Sequence, residues 1–392
     1  IDDAAVVHSI LERAQAAGLC EVLPAGCITR GRAGEELAPL GELYDLGVRI
    51  FTDDGDCVAD AGVMRRAFEY ASALPGAVIA QHAEDPALVR GGHKVRVLDD
   101  NSRGAPRRLT DVEKDIEFIA GDIRDASAVA NAVRGMDEVH HLAYVNGTEF
   151  FYTQPDLVLD VGVKGMVNVI DACRAANVRK LILASSSEVY QTPPKVPTDE
   201  TAPLIVPDAT NPRYSYGGGK IISELMALNY GRKHFDRVLI FRPHNVYGPD
   251  MGFEHVIPQF VVRLKRLAAQ HPSGRLPFEI QGDGSQTRSF CHVDDLVQGV
   301  LVMRDAGEHL GIYHVGTLEE ITIADLARRC AAHFKREIEF VVKPAPAGGT
   351  DRRCPDIGKL TRLGYAPKVP LSAGLPPTAE WYWANEAMAP KG

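Results

Sequence analysis

The fold is decided by the stretch Leu181-Ile182-Leu183-Ala184-Ser185-Ser186-Ser187-Glu188-Val189-Tyr190 and, further on, Tyr214-Ser215-Tyr216-Gly217-Gly218-Gly219-Lys220. Its apolar start is typical of a buried parallel strand, and three serines follow where that strand ends. From residue 221 the pattern is helical, and four side chains predict an apolar stripe. These are Ile222, Leu225, Met226 and Leu228. The stretch therefore predicts a strand, a polar loop and a helix.

Tyr216 and Lys220 are the candidate proton-transfer pair. They are four residues apart, so a helix places them on one face. A phenol with a pKa of about 10 is a poor base at neutral pH, but a nearby ammonium favours the phenolate. A hydroxyl from the serine run could hold a substrate alcohol against that base. An isolated tyrosine and lysine with this spacing are more often solvated surface residues, so the interpretation depends on the flanking motifs.

Those motifs are specific in combination. They are Ser185-Ser186-Ser187-Glu188-Val189-Tyr190, the Tyr216/Lys220 pair, Arg242-Pro243-His244-Asn245-Val246-Tyr247-Gly248-Pro249 and Gly282-Asp283-Gly284-Ser285-Gln286-Thr287-Arg288-Ser289-Phe290. With them the chain resembles the extended short-chain dehydrogenase/reductase family, in particular its nucleotide-sugar epimerases, dehydratases and decarboxylases. The resemblance covers about residues 89–385. It implies a Rossmann-type doubly wound parallel sheet with a smaller C-terminal substrate lobe, mainly residues 245–290 and 340–390.

The resemblance also implies roles for individual residues. Tyr216 would take the proton from the sugar C4 hydroxyl during a transient oxidation, and Ser186 would steady that hydroxyl. Lys220 would lower the pKa of Tyr216 and hold the nicotinamide ribose. The other implied substrate contacts are Ser187, Asn245 and Arg288, the last of them to the pyrophosphate, although an arginine there can also be a surface salt bridge.

Glu188 bears on which reaction follows the oxidation. Dehydratases of the family carry an Asp-Glu pair at this point and decarboxylases carry Ser-Glu, which matches Ser187-Glu188 here. Simple epimerases usually lack the glutamate. The resemblance therefore implies an NAD-dependent nucleotide-sugar epimerase or dehydratase, with a decarboxylase of the same family as the alternative. A catalytically impaired protein that binds a sugar nucleotide is the further alternative.

The implied cofactor is NAD. Asp99 ends a predicted strand, where a carboxylate can accept hydrogen bonds from an adenosine ribose, and its charge disfavours a 2′-phosphate. Arg103 nearby keeps NADP open. The remaining implied cofactor contacts are Asp122, Ile123, Leu142, Ala143, Tyr216 and Lys220.

One part of the family pattern is absent from the sequence. The first strand and the G-x-x-G-x-x-G loop, whose backbone cradles the pyrophosphate, should directly precede residue 89. Gln81-His82-Ala83-Glu84-Asp85-Pro86 stands there instead. We predict that Ala77-Val78-Ile79-Ala80 fills the vacant strand position, in parallel beside Val95-Arg96-Val97-Leu98. Glu84 and Asp85 would then add repulsion toward the phosphates.

Residues 1–88 precede the dehydrogenase pattern. Predicted helices at 6–17, 37–46 and 63–73 alternate with predicted strands at 21–24, 48–51 and 77–80, which suggests a β/α-barrel fragment. The segment resembles the middle of a bacterial dihydroorotase around Phe51-Thr52-Asp53-Asp54-Gly55 and Gln81-His82-Ala83-Glu84-Asp85. That family's H-x-H pair and later ligands are absent, and one Asp with one His cannot form a catalytic zinc site. We therefore expect no metal, and a metal-dependent amidohydrolase is the least supported of the hypotheses.

Composition limits the remaining classes. The 45% hydrophobic and 24% charged fractions are ordinary for a globular protein, and 392 residues suffice for two domains. A net charge of −9 does not indicate binding to nucleic acid or to an anionic membrane. Apolar runs are too short to span a membrane, and the seven cysteines contain no C-x-x-C. These features predict a cytoplasmic enzyme, and the family resemblance implies a homodimer.

Overall fold

The structure of the protein is a computed structural model that describes residues 1–18, 22–53, 58, 61–71, 73–75, 78–79, 94–102, 104, 106–344 and 350–389. The chain divides into two compact units. One unit comprises residues 1–97 with 104–119, and the other comprises residues 98–103 with 120–392. Within the described ranges, no helix combines the length and the apolar character needed to cross a membrane.

Short helices and strands alternate in the first unit. In chain order they are α1 (Ala4–Ala17), β1 (Ala25–Gly26), α2 (Leu40–Asp45), β2 (Ile50–Phe51), α3 (Ala61–Ala71), β3 (Val78–Ile79), β4 (Val95–Asp99) and β5 (Ile116–Ala120), with 3-10 turns at Arg30–Arg32 and Pro106–Val112. The last residues of β4 and β5, 98–99 and 120, belong to the second unit. The strands β1, β2 and β3 form a parallel sheet in that order. The strand predicted at residues 21–24 is wrong: it lies at 25–26, where Gly26 lets Phe51 pack close to the backbone.

Asp53 is a buried part of this first unit. Its carboxylate accepts hydrogen bonds from the backbone N–H groups of Ile28 at 2.7 Å and Thr29 at 3.1 Å, and from the Thr29 hydroxyl. These donors compensate for burying the charge, so the local role of Asp53 is structural. Asp54 and His82, which were grouped with it in the sequence interpretation, lie outside the described residues.

The predicted pairing of residues 77–80 with 95–98 is not what the described residues form. Val78 and Ile79 pair in parallel with Ile50 and Phe51 of β2. Strand β4 instead joins β5 in a separate two-stranded sheet. Strands that follow one another in the chain usually lie side by side, and their backbone groups then hydrogen-bond to each other. This accounts for the pairing of β3 with β2. Ala77, Ala80, Glu84 and Asp85 lie outside the described residues.

The second unit is built on a parallel sheet with helices on both faces. Its elements are α4 (Ala126–Val133), β6 (Glu138–His141), α5 (Thr148–Thr153), α6 (Pro155–Leu159), α7 (Gly165–Ala175), β7 (Lys180–Ala184), α8 (Ser215–His234), β8 (Arg237–Pro243), β9 (Val246–Tyr247), α9 (Val256–Gln270), β10 (Leu276–Gln281), β11 (Thr287–Ser289), β12 (Cys291–His292), α10 (Val293–Ala306), β13 (Gly311–Val315), β14 (Glu320–Thr322), α11 (Ile323–His333), β15 (Ile338–Lys343), β16 (Arg352–Arg353), α12 (Gly358–Thr361) and α13 (Leu371–Ala384). A π-helical turn spans Asp160–Lys164, and 3-10 turns span Ser187–Val189, Pro212–Tyr214 and Glu386–Met388.

The central sheet has the strand order β13–β8–β7–β6, and every pairing in it is parallel. Side chains of β7 alternate between two cores, as the two-residue period of a strand requires. Leu181 and Leu183 pack with α4, α7 and α8, whereas Ile182 packs with α10 and α12 on the other face. Helices on both faces of a parallel sheet confirm the doubly wound α/β fold predicted from the sequence.

A further hydrophobic core lies among α9, α11, α13 and the pair β10–β15. The seven prolines between residues 344 and 377 predict short turns throughout this tail, but the prediction is wrong for residues 371–384, which form α13 with Pro376 and Pro377 inside it. The buried side chains Leu371, Leu375 and Tyr382 form one apolar face of this helix. Their burial outweighs the backbone hydrogen bonds that the two prolines remove.

The apolar stripe predicted for helix α8 also differs from the structure. It does not form one buried face, since Ile222 and Leu225 are 41% and 54% exposed. Met226 and Leu228 are partly buried against the core. The face that is buried consists of Tyr216, Gly217, Gly219, Lys220, Ser223, Glu224, Ala227 and Gly231. This helix therefore turns its reactive and small residues inward and leaves part of its apolar surface exposed.

Candidate active site

Tyr216 and Lys220 lie in the first turns of α8, beside the carboxyl end of the central sheet. Both are buried, with exposed fractions of 6% and 3%. The Lys220 ammonium donates a hydrogen bond of 2.7 Å to the carbonyl oxygen of Ala184, the last residue of β7. The strand end and the helix start that the sequence placed together are thus joined by a direct contact.

Burial governs the protonation of Lys220. Removal from water lowers the pKa of this ammonium to about 7, although the Glu224 carboxylate raises it in part. The lysine can therefore gain or lose its charge near neutral pH. Catalytic groups with a pKa near the working pH are the ones that transfer or stabilise protons most effectively.

Aromatic rings surround the pair. The ring of Phe151 stacks on that of Tyr216, with centroids 4.9 Å apart and planes at 19°. The ring of Tyr144 meets Tyr216 at 5.0 Å and 81°. Tyr144 follows β6 closely in the chain, and sequence reasoning did not single it out. A tyrosine that follows the end of a neighbouring parallel strand was the available clue, because such strand ends share one edge of the sheet.

The glycine run between Tyr216 and Lys220 has a steric cause. A Cβ at Gly217 would lie 2.9 Å from the carbonyl oxygen of Glu188, and one at Gly219 would lie 2.1 Å from the hydroxyl oxygen of Tyr144. Both approaches are far shorter than van der Waals contact. The two glycines therefore let the loop after β7 and Tyr144 pack directly on the first turn of α8.

The three serines after β7 have different partners. Ser185 donates a hydrogen bond to the carboxylate of Glu224. Ser186 caps the 3-10 turn that follows, because its Oγ accepts a 3.1 Å hydrogen bond from the backbone N–H of Glu188. Ser187 is buried within that turn. Gly217 lies against the carbonyl group of Glu188 in the same turn, so this turn packs on the start of α8.

Glu188 is paired with arginines from distant parts of the chain. Arg353 of β16 donates to its carboxylate at 2.7 Å, and Arg213 lies 3.9 Å away. Burial alone would raise the pKa of Glu188, but Arg353, Arg213 and the nearby Arg288 outweigh it and hold the pKa below its usual range. Glu188 is thus ionised at neutral pH. Sequence reasoning missed Arg353 and Arg213, and Arg353 is 165 residues from Glu188.

Arg288 and Asn245 lie on neighbouring segments. Arg288 donates hydrogen bonds of 2.7 Å to the carbonyl oxygens of Thr287 and Thr350. Burial lowers the pKa of its guanidinium to about 10, with a further contribution from Arg353. Asn245 follows β8 with a positive φ of 39° and donates to the carbonyl oxygen of Ser289. The side chain of Asn245 is therefore anchored one residue from Arg288.

A second carboxylate lies beneath these groups. Glu224 and Arg242 form a doubly hydrogen-bonded ion pair, with distances of 2.8 and 2.6 Å. Arg242 also contacts the hydroxyl of Tyr190, which hydrogen-bonds to His314 at 2.6 Å. Burial lowers the pKa of His314 to about 4, so this imidazole is neutral at neutral pH. The network ties α8, β8, β13 and the loop after β7 together.

The predicted cofactor residues occupy the ends of β4, β5 and β6. The Asp99 carboxylate accepts a hydrogen bond from the backbone N–H of Asn101, and Asp122 is held by Arg124, which lowers the pKa of Asp122. Ile123 is buried against Gly165, where a Cβ would lie 2.4 Å from its side chain. Leu142 and Ala143 are exposed after β6. Arg103 lies outside the described residues.

Within the part of the chain that the structure describes, no group of three or more histidine, cysteine, aspartate or glutamate side chains could hold a metal ion. The doubly wound sheet, with a buried tyrosine–lysine pair at its carboxyl edge, defines a Rossmann-type α/β protein of the short-chain dehydrogenase/reductase class.

Comparison with known proteins identifies the family. A model of the NAD dependent epimerase/dehydratase family matches residues 79–316, and a model of dihydro-orotase-like proteins matches residues 5–97. The dTDP-glucose 4,6-dehydratase of Streptomyces antibioticus is 31% identical over 69% of this chain and 78% of its own length. UDP-glucuronic acid decarboxylase 6 of Arabidopsis thaliana is 28% identical over 76% and 84%. The chain belongs to the NAD dependent epimerase/dehydratase family.

Solved structures agree with this assignment. The dTDP-glucose 4,6-dehydratase of Streptomyces venezuelae, with NAD and TYD bound, is similar with a TM-score of 0.67 at 29% identity, over 76% of this chain and 89% of that one. The UDP-glucose 4-epimerase of Thermus thermophilus, in complex with NAD, has a TM-score of 0.66 at 25% identity, over 76% and 93%. Both likenesses cover the same share of the chain as the predicted dehydrogenase pattern.

Proposed function

We propose that this protein is an NAD-dependent nucleotide-sugar epimerase or dehydratase that acts through transient oxidation at sugar C4. The observation that carries the proposal is the buried Tyr216–Lys220 pair, in which Lys220 has a pKa of about 7 and lies against the end of β7. Tyr216 would accept the proton of the substrate hydroxyl, and Ser186 would hold that hydroxyl in place. Protonated Lys220 would favour the phenolate form of Tyr216.

Glu188 would act after the oxidation. Its carboxylate stays ionised because of Arg353 and can therefore accept a proton from the oxidised sugar or orient it. Arg353, Arg213 and Arg288 together provide guanidinium groups suited to the pyrophosphate of a nucleotide sugar. Since Ser187-Glu188 matches the decarboxylases, the same site also supports loss of a carboxylate as the second step.

The described residues fit NAD at two ends. Asp99 would offer a carboxylate to an adenosine ribose at the end of β4, Asp122 and Ile123 would contact the adenine, and Leu142 and Ala143 would line the cofactor groove. Lys220 would hold the nicotinamide ribose. When bound, NAD⁺ supplies the acceptor for the hydride that leaves sugar C4. The glycine-rich turn for the pyrophosphate is absent from the sequence, so the fit is incomplete at the centre of the cofactor.

The test is turnover of a panel of UDP-, GDP-, dTDP- and CDP-sugars by the wild type and by Tyr216→Phe. Removal of the base should reduce turnover by about 10²- to 10⁴-fold. The circular dichroism spectrum should stay unchanged, because the ring that packs against Phe151 is retained. Undiminished activity in the variant would refute the assignment of Tyr216.

A second candidate function is binding of a sugar nucleotide without turnover. It is favoured by the missing glycine loop, whose backbone donors would otherwise hold the pyrophosphate. NAD affinity should then fall by at least about tenfold. Calorimetric titration with NAD decides between the candidates: micromolar affinity would show that other groups replace the glycine loop.

We also propose a homodimer formed through α8 and the helices beside it. The exposed apolar side chains that support it are Leu159, Val167, Ile222 and Leu225. Burying such side chains between subunits is favourable by about 25 cal/mol per Å² of apolar surface. Light scattering of the wild type and of Leu225→Asp would test this: a dimer that persists in the variant would exclude this face.

A further inference from the structure

We propose that Tyr144 is a positioning residue for the Tyr216–Lys220 pair, with the face of its ring holding the Lys220 ammonium beside Tyr216. The proposal deepens the proposed function and rests on it for its catalytic consequence. The residue touches both members of the pair from a separate element of the fold, the loop that follows β6.

The geometry assigns the contact to the ring. The Lys220 Nζ lies 4.0 Å from the centroid of the Tyr144 ring, compared with 5.8 Å from the centroid of the Tyr216 ring. The first distance is well within the range in which an ammonium is attracted to an aromatic face. At the same time the Tyr144 ring meets the Tyr216 ring nearly at right angles, with centroids 5.0 Å apart. One ring thus sets the positions of both reactive groups.

The fold leaves a dedicated space for this ring. A Cβ at Gly162, in the π-helical turn, would lie 2.0 Å from the Tyr144 hydroxyl oxygen, and a Cβ at Gly219 would lie 2.1 Å from it. Any side chain larger than hydrogen at either position would displace Tyr144. Two elements, the π-helical turn and α8, therefore have to carry glycine for the ring to stay in contact with Lys220.

The hydroxyl of Tyr144 makes no contact with the described residues that would give it a role. Its oxygen is buried and has no hydrogen-bond partner among them. Burial also raises the pKa of this phenol, so it stays neutral. A buried hydroxyl without a partner lowers stability, and what the position supplies to its neighbours is the aromatic face.

The surroundings of Lys220 make that face necessary. Its hydrogen bond to Ala184 satisfies one of the three ammonium donors. Glu224, four residues further along α8, favours the charged form of Lys220, and His141 of β6 also interacts with Lys220. Burial lowers the pKa of His141 to about 3, so it is neutral and adds no stabilising charge. An aromatic face stabilises an ammonium without adding a carboxylate that would form a salt bridge with it.

The test compares Tyr144→Leu with Tyr144→Phe, which keeps the ring and removes only the hydroxyl. Without the ring, the charged form of Lys220 is less stable and Tyr216 accepts protons less readily at a given pH. For Tyr144→Leu we expect the acid limb of the pH dependence of kcat/KM to move up by about one pH unit, with about tenfold lower turnover at pH 7. Tyr144→Phe should keep the wild-type profile. Equal impairment of both variants would overturn the proposal, as would a uniform loss of turnover without a shift in pH.

A measurement on the cofactor-free protein separates this proposal from the proposed function. The titration of Lys220 can be followed by NMR of ¹³C-labelled lysine, with Lys220→Met to assign its resonance. Its midpoint should fall by about one pH unit in Tyr144→Leu and stay unchanged in Tyr144→Phe. Tyr144→Met serves as a second variant without the ring if Tyr144→Leu is unstable. An unchanged midpoint in the ring-less variant would refute the role of Tyr144, whether or not the protein turns over a sugar nucleotide.

Discussion

Two glutamate–arginine pairs in the second unit differ in what surrounds them. Glu224 and Arg242 are each 2% exposed, and Ser185 and Tyr190 contact the pair as well. Glu188 and Arg353 are 22% and 10% exposed, and Arg213 and Arg288 add positive charge beside them. The charges of the first pair are fully used in contacts within the protein, so its role is structural. Around the second pair, three arginines face one glutamate, and this excess of positive charge favours binding of an anion.

The strongest test of this contrast is Arg242→Met. It leaves the Glu224 carboxylate buried without its cation, which should reduce the free energy of unfolding by about 3–5 kcal/mol, as measured by urea denaturation. The double variant Glu224→Met with Arg242→Met should recover much of that loss, because an apolar pair leaves no buried charge. A loss below about 1 kcal/mol in the single variant would mean that the pair is no structural tie.

Glu188→Gln should show the opposite profile. The substitution keeps the shape and an acceptor for Arg353, so the free energy of unfolding should change by about 1 kcal/mol or less. The step after oxidation should slow by about 10²-fold or more, since a carboxamide cannot accept the proton. Accumulation of 4-keto sugar, detected by mass spectrometry, is the expected sign. Equal slowing of both steps would point to a structural role for Glu188.

Arg353→Gln tests the charge balance around the Glu188–Arg353 pair. Without this guanidinium, burial acts on Glu188 with less opposition, so the pKa of the carboxyl rises. The ionised form is then lost at a higher pH, and the acid limb of the pH–activity profile should move up by about one pH unit. Arg353→Lys, which keeps the charge, is the matched control. A profile that does not move would show that Glu188 need not be ionised.

Ser185→Ala should have the smallest effect. It removes one hydrogen bond to a Glu224 carboxylate that Arg242 still holds, so we expect a loss of about 1 kcal/mol in the free energy of unfolding. Turnover should be close to that of the wild type. A large loss of turnover with unchanged stability would show that Ser185 acts in the active site rather than in the structural Glu224–Arg242 pair.

The sequence predicted what depends on neighbours in the chain. The strand at residues 181–184 and the helical spacing of Tyr216 and Lys220 are local features, and the structure confirms them. Sequence reasoning did not predict that Arg353 pairs with Glu188, because 165 residues separate them. Nor did it predict Tyr144, whose contact depends on the packing of two helical segments. The predicted turns at residues 371–384 were wrong because burial of one helix face outweighs local propensity.

The glycine run at the start of α8 has a consequence for motion. Each glycine in a helix costs about 1 kcal/mol relative to alanine, so the turn that carries Tyr216 and Lys220 has little intrinsic tendency to stay helical. Packing by Tyr144 and the Glu188 carbonyl has to supply what the sequence lacks. Fraying of this turn would separate the two reactive groups. Among the described residues, Val206 lies 3.5 Å from the Cβ position of Gly218, so this glycine could carry a methyl group. Amide exchange across residues 216–220 therefore reports how far the site is ordered before any ligand arrives.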